Sequence, residues 1–171
     1  MVKLELGSGQ RPSPGYIHTD AHDFPGLDHI GSADTLECDD ESLEEVLALG
    51  VIEHLTYQQA VDTFRNVYRW LAPGGVFLFD VPDLPVWCEY LSAHARGESA
   101  PFDLQHVLCT LFGWQRWEGD EHKSGWTKQM LEAELVKFSI VWGVDSFVER
   151  GHYRRRFARP QDAHLYVTAT K

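Results

Sequence analysis

The chain has 171 residues, 43% hydrophobic and 24% charged, which is enough for one compact domain and excludes a disordered tail or a fibrous chain. Its 26 acidic residues against 15 Lys and Arg give a formal net charge of -11, a field that argues against general nucleic-acid binding. No apolar run approaches the roughly 20 residues that span a bilayer. Cys38, Cys88 and Cys109 lack the even count and close spacing of a disulfide framework. Met1 to Gly7 meets an acid and a glycine too soon for a signal peptide, so a cytoplasmic, membrane-free protein is expected.

In chain order, Val2, Leu4 and Leu6 alternate with Lys3 and Glu5, which predicts a strand running into Gly7-Ser8-Gly9. Pro12, Pro14 and Gly15 then break the chain. A second strand is expected at Tyr16 to Thr19, closing at Asp20, and a short third one at Leu27 to Ile30. Val46 to Ile52 is a nearly continuous apolar run, the mark of a strand buried on both faces. From Tyr57 to Leu71 apolar residues recur at spacings of three and four, one helical face. Pro73-Gly74-Gly75 ends that helix, and Val76 to Phe79 reads as the next buried strand. Strand, helix, strand with short joints is a right-handed crossover, so the sheet is largely parallel.

An irregular, aromatic stretch at about 84–137 follows, holding Trp87, Trp114, Trp117 and Trp126. Helices are expected over Pro85 to Arg96 and Lys128 to Val136. Final strands at Ser139 to Trp142 and Leu165 to Ala169 flank an arginine-rich connection.

Two glycines leaving a central strand let backbone amides approach a ligand at the carboxyl edge of the sheet. Pro12 stands where a dinucleotide fingerprint needs its third glycine, so a pyrophosphate cradle is not expected. Glu5 is a carboxylate in a buried strand and needs a cation or several donors, from a ligand ammonium or from the protein. An acid closing the second strand, as Asp20 does, suits two ribose hydroxyls, or caps the next turn.

The motifs L-E-L-G-S-G-x-x-P-x-x-G-Y-I-H-T-D, V-I-E-H-L and W-L-A-P-G-G-V-F-L-F-D-V-P-D together resemble class I S-adenosylmethionine-dependent methyltransferases. The closer likeness is to small, type 11-like members with a shortened P-x-x-G-Y/F turn, and it runs from Lys3 to Lys171. The resemblance implies an α/β fold: three layers, Rossmann-like, a mostly parallel sheet with an antiparallel last strand. It implies one domain over 1–171, with the aromatic insert at about 84–137. The implied activity is methyl transfer from S-adenosylmethionine to a small-molecule acceptor such as a sugar or other metabolite. A non-catalytic partner subunit is the alternative.

Carried over by position, Glu5 faces the methionine ammonium, Gly7, Ser8 and Gly9 wrap the methionyl part and ribose, and Asp20 takes the ribose hydroxyls. Gly50 and Val51 offer backbone to the methionine end, and His54 follows in the E-H-L motif. Ser32 stands where the family has its adenine-contacting acid, which leaves Asp34 or the backbone to take its place. The D-E-H-K-S-G-W run makes His122 the first candidate for a general base, Asp83 the second, with Asp80 and His106 also at the right edge. Trp114, Trp126, Arg154 and Arg156 are candidates for gripping the substrate.

No metal is assigned. His18, Asp20 and His22 share a strand face and, with His29, form a rival metal cluster. Arg150 to Arg159 carries five arginines, suited to a phosphate or carboxylate, to solvent, or to RNA. Monomer and homodimer both remain open.

Overall fold

The computed structural model describes residues 2–149 and 163–171. Seven strands form one sheet: β1 (Val2–Leu6), β2 (Ile17–Asp20), β3 (His29–Ile30), β4 (Leu43–Leu49), β5 (Leu71–Pro82), β6 (Ser139–Trp142) and β7 (His164–Thr170). Their order is β3-β2-β1-β4-β5-β7-β6. The first five are mutually parallel, with Leu6 opposite both Thr19 and Ala48, and β7 runs antiparallel to β5 and β6. This is the expected mostly parallel sheet.

The period of two along each strand divides the core between two faces. Leu4, Leu6, Val46, Ala48, Phe77 and Phe79 point one way, onto Ala60, Phe64 and Val67 of helix α1 (Tyr57–Trp70) and Leu131 of α4 (Lys128–Glu134). Leu47 and Leu78 point the other way, onto Tyr16 and onto Phe147 of α5 (Asp145–Glu149). Helices therefore cover both faces, as three layers require.

Helix α1 opens on a capping box: the Thr56 hydroxyl accepts from the Gln59 N–H, and the Gln59 side chain accepts from the Thr56 N–H. It points the chain back to the amino edge, from which β5 returns parallel to β4.

The main departures lie in β4, in β5, which runs over Leu71–Pro82 and takes in Pro73-Gly74-Gly75 rather than starting at Val76, and in the insert. Strand β4 begins at Leu43, three residues before the apolar run, and ends at Leu49; Ile52 belongs instead to a 3-10 turn over Ile52–His54. Glu45 sits inside the strand, buried, where the Tyr16 hydroxyl donates to it and Lys3 pairs with it at 3.6 Å. The insert holds α2 (Leu84–Ala95), as expected, and a further helix α3 (Leu104–Phe112), capped by the Asp103 carboxylate on the His106 N–H. These two pack through Trp87, which meets Phe102 at 5.2 Å and His106 at 5.8 Å between ring centroids.

Candidate active site

The strand order reverses between β1 and β4, and open sheets of this kind bind ligands at the carboxyl edge of that crevice. Gly7 leaves β1 at φ +60°, and a Cβ built on it would lie 2.4 Å from Cγ2 of Val51, which follows β4. The two loops meet so closely that only glycine fits on one side. Gly9, at φ +58°, has the opposite surroundings: a Cβ there would meet nothing within 4 Å. The Ser8 hydroxyl is buried with no hydrogen-bond partner among the described residues. An open glycine beside an orphaned hydroxyl is a cradle with spare donors.

Glu5 is buried, and both of its oxygens are used: one accepts from the Ser13 N–H at 2.6 Å and the other from the Ser13 hydroxyl at 2.8 Å. Its carboxylate anchors the proline-rich loop that closes over β1.

Asp20, nearly buried at the end of β2, accepts from the Gly9 N–H at 2.9 Å and from the His22 N–H at 2.9 Å. The turn-capping role and a position beside the glycine loop thus coincide. Asp34 accepts from the Ser32 hydroxyl, and its own carbonyl receives the Asn66 amide at 3.1 Å, so the two residues weighed for the adenine contact are bonded to each other.

Gly50 leaves β4 at φ +65° and donates its N–H to Asp80 at 2.9 Å. Asp80 is fully buried and also receives His164 Nδ1 at 2.9 Å, so this base candidate is committed to holding the β4 and β7 ends together. In the turn after β4, Glu53 is 4% exposed and its Oε2 has no hydrogen-bond partner among the described residues. Burial, helped by the charge of Asp80, pushes its carboxyl up to about 8.

His54 Nδ1 donates to the Glu121 carbonyl at 3.2 Å, and its ring meets that of His122 edge-on at 4.8 Å. Burial lowers both imidazoles, His122 to about 4 with His54 adding to the effect, so both are neutral near pH 7. Glu53, Thr110 and Ser124 line a small cleft with His122, floored by Leu84 and Trp126. Asp83, half-buried after β5, has its carboxyl raised by burial, with the Val86 N–H pulling the other way.

A strap from the insert crosses this whole edge. At the β2 end the Glu118 carbonyl receives His22 Nε2 at 2.8 Å. At the β4 end the N–H groups of Lys123 and Ser124 donate to the Glu53 carbonyl at 2.8 and 3.2 Å. At the β5 end the Leu84 N–H donates to the Trp126 carbonyl at 3.1 Å. Within the strap Arg116 forks onto Asp120 and lies 4.3 Å over the Trp117 ring. Burial opposes ionisation of Asp120, but the Arg116 contacts outweigh it and hold the carboxyl below its usual range.

The expected residues fall into three groups. Gly7, Ser8, Gly9, Asp20, Gly50 and Val51 converge on the crevice, and His54 and His122 meet beside it. Trp114 is exposed on the strap, whereas Trp126 is fully buried, stacked on Tyr57 at 5.3 Å with its Nε1–H bonded to Ser124. His106 is spent on the stack with Trp87 and Phe102. Arg154 and Arg156, with the rest of the arginine run, lie outside the described residues.

The rival metal cluster does not assemble. His18 Nε2 turns to the Ser13 carbonyl at 2.7 Å, His22 to Glu118, and His29 lies in an exposed strand. Glu53 belongs to the E-H pair of V-I-E-H-L but carries no local sign of its burial, which goes with the strap bonded to its carbonyl.

The larger concavity, lined by Glu37 to Asp40 and Arg69, lies before β4 begins, at the opposite edge.

Residues 8–79 match the family described as a methyltransferase domain. No curated protein matches. Among solved structures, an S-adenosylmethionine-dependent methyltransferase from Mesorhizobium loti is 19% identical, with a TM-score of 0.59 over 99% of this chain and 90% of that one. The 1,6-didemethyltoxoflavin-N1-methyltransferase of Burkholderia thailandensis, solved with bound 1,6-didemethyltoxoflavin and S-adenosylhomocysteine, is 16% identical with a TM-score of 0.59, covering 99% and 70%. A putative methyltransferase of Haloferax volcanii, solved with the Trm112 methyltransferase activator, is 13% identical with a TM-score of 0.54, covering 99% and 81%.

Proposed function

We propose, from the match of residues 8–79 to a methyltransferase-domain family and the class I methyltransferase-like fold of the chain, that the chain transfers a methyl group from S-adenosylmethionine to a small hydroxylated acceptor. A sugar or a similar metabolite is the acceptor class we favour. The carrying observation is the Gly9–Asp20 pair, with the open space at Gly9 and the orphaned Ser8 hydroxyl beside it, inside the matching segment.

When bound, S-adenosylmethionine supplies a methyl group on a positively charged sulfur. The chain's own residues do the rest. The backbone from Gly7 to Gly9 lets the ligand approach β1, and Asp20 keeps lone pairs for two ribose hydroxyls while holding the Gly9 N–H. Asp34 is the side chain nearest in sequence to the adenine end. Gly50 and Val51 present backbone to the methionine end. Glu5 faces the ammonium, directly or through water, and also anchors the Ser13 loop, since each of its oxygens accepts one bond from Ser13 and keeps a lone pair.

In-line transfer demands positioning above all. His122, neutral and half-buried beside His54, accepts the acceptor's proton, and Asp83 is the second candidate. Trp114 lies on the strap where a sugar face could stack, and Arg154 and Arg156 remain candidates for a charged group on the acceptor. Residues 1–171 are read as a single domain whose 84–137 insert covers the acceptor.

The test is transfer of labelled methyl from S-adenosylmethionine to a panel of sugars and small hydroxylated metabolites. A labelled product with the wild-type chain, reduced at least tenfold in His122→Ala, supports the reading. Transfer only to small amines, or transfer unchanged in His122→Ala, overturns it. A second reading, a non-catalytic subunit in a partner complex, draws on the exposed Leu104, Leu108 and Phe112 along one side of α3.

A further inference from the structure

Glu53, His54 and His122 bring one carboxylate oxygen and two ring nitrogens within 4.8 Å of one another. Burying a carboxylate oxygen without a partner is costly, and Glu53 Oε2 is such an oxygen. The neighbouring carboxylate, Asp80, offers it no relief, since it is occupied by Gly50 and His164.

The His54 imidazole is oriented by a backbone carbonyl, that of Glu121 at 3.2 Å, and the His122 ring stands edge-on to it at 4.8 Å between centroids. A carbonyl only accepts, so the bonded nitrogen carries the hydrogen and the other nitrogen of a neutral ring keeps its lone pair. Metal-ligating histidines are oriented in this way. The backbone is braced too, because the Glu53 carbonyl holds the Lys123 and Ser124 N–H groups and so fixes the turn against the strap.

We propose that Glu53, His54 and His122 form a binding site for a divalent transition ion of the zinc type, with one coordination position left for an oxygen of the acceptor. Two imidazoles and one carboxylate are a zinc donor set, and three protein ligands leave the open position that catalytic sites keep. Bonds of about 2.0–2.2 Å require each donor to move inward by roughly 1 Å, within reach of side-chain torsions.

The ion would sit after β4, beside the crevice. It would lower the pKa of a hydroxyl bound to it, which defines the acceptor as one that offers a ligating hydroxyl. His122 then gives its lone pair to the ion, and proton acceptance passes to Asp83 or to solvent. The purpose of the ion rests on the methyl-transfer reading; its binding does not.

The experiment uses the full chain, stripped with a chelator and titrated calorimetrically with Zn²⁺, with Co²⁺ as the optical probe. The expected result is one equivalent bound, a cobalt spectrum of nitrogen and oxygen ligation, and at least tenfold weaker binding in His54→Ala, His122→Ala and Glu53→Gln. His29→Ala, exposed on β3, should bind as the wild type does. Circular dichroism checks each variant, and Glu53→Gln carries the test if a histidine variant fails to fold.

No binding, binding unchanged in Glu53→Gln and His122→Ala, or a thiolate band that places the ion on cysteine overturns the proposal. S-adenosylhomocysteine binding is measured on the same samples. Its retention without metal binding sinks this site alone, and its loss with metal binding intact sinks the methyl-transfer reading alone.

Discussion

The Asp20 carboxylate holds the N–H of Gly9 at 2.9 Å, so the acid that closes β2 also sets the glycine loop that leaves β1. One side chain thereby links two parallel strands at the edge where a ligand would enter. Asp20→Ala should weaken S-adenosylhomocysteine binding by about 1–3 kcal/mol, the cost of leaving polar groups unpaired. Titration of the variant measures this directly, and unchanged affinity would contradict the assignment of Asp20 to the ribose.

Gly7 and Val51 make the second link, across β1 and β4. Gly7→Ala must hold a Cβ at φ +60°, worth about 1–2 kcal/mol, and must push it against Val51 Cγ2. Denaturant unfolding should show a loss larger than the φ cost alone. The double variant Gly7→Ala, Val51→Ala should relieve the clash but keep the φ cost. A Gly7→Ala chain as stable as the wild type would show that the two loops do not meet as described.

Much of the frame was readable because its residues obey local rules. β1, β2, α1 and β6 fall within a residue or so of their expected bounds, since alternation, helical spacing and proline or glycine breaks mark them. The apolar run places β4 three residues late at both ends, because Glu44 and Glu45 hide its start and Val51 and Ile52 continue the run past its end; Glu45 is tolerated inside through Tyr16 and Lys3, partners far away in sequence. Helix α3 has no clear amphipathic signature, because L-Q-H-V-L-C-T-L-F spreads its apolar residues over two sides, with Leu104, Leu108 and Phe112 left exposed.

The site followed the same division. The glycines and Asp20 sit beside strands and are visible in order. The meeting of Glu53 and His54 with His122 depends on a strap folding back over almost 70 residues, which no spacing encodes.

The tryptophans separate core from surface. Trp126→Ala removes a fully buried ring from between Tyr57 and Phe64 and should cost about 3–5 kcal/mol of stability. Trp114→Ala, at an exposed site, should change stability by no more than about 0.5 kcal/mol. Thermal and denaturant unfolding of both variants checks the contrast, and equal losses would contradict the placement of Trp126 in the core.

Asp83 carries a pH signature. Its carboxyl is raised by burial, so the folded chain keeps that proton to higher pH than the unfolded chain does. The contribution to stability is present below the ordinary value of 3.8 and is lost as pH rises through the folded value. Asp83→Asn removes the titration, so its stability relative to the wild type should climb as pH rises from 3.8. Parallel unfolding curves across the acid-to-neutral range measure it, and a constant difference would contradict the burial of this carboxyl.

The central claim is that the crevice between β1 and β4 takes S-adenosylmethionine. Calorimetric titration of the purified chain with S-adenosylhomocysteine, with NAD as the control, tests it most directly. Micromolar binding of the first and no heat from the second is the predicted result, in keeping with Pro12 in place of the third glycine of a dinucleotide fingerprint. No binding of S-adenosylhomocysteine, or equal binding of NAD, would contradict the account.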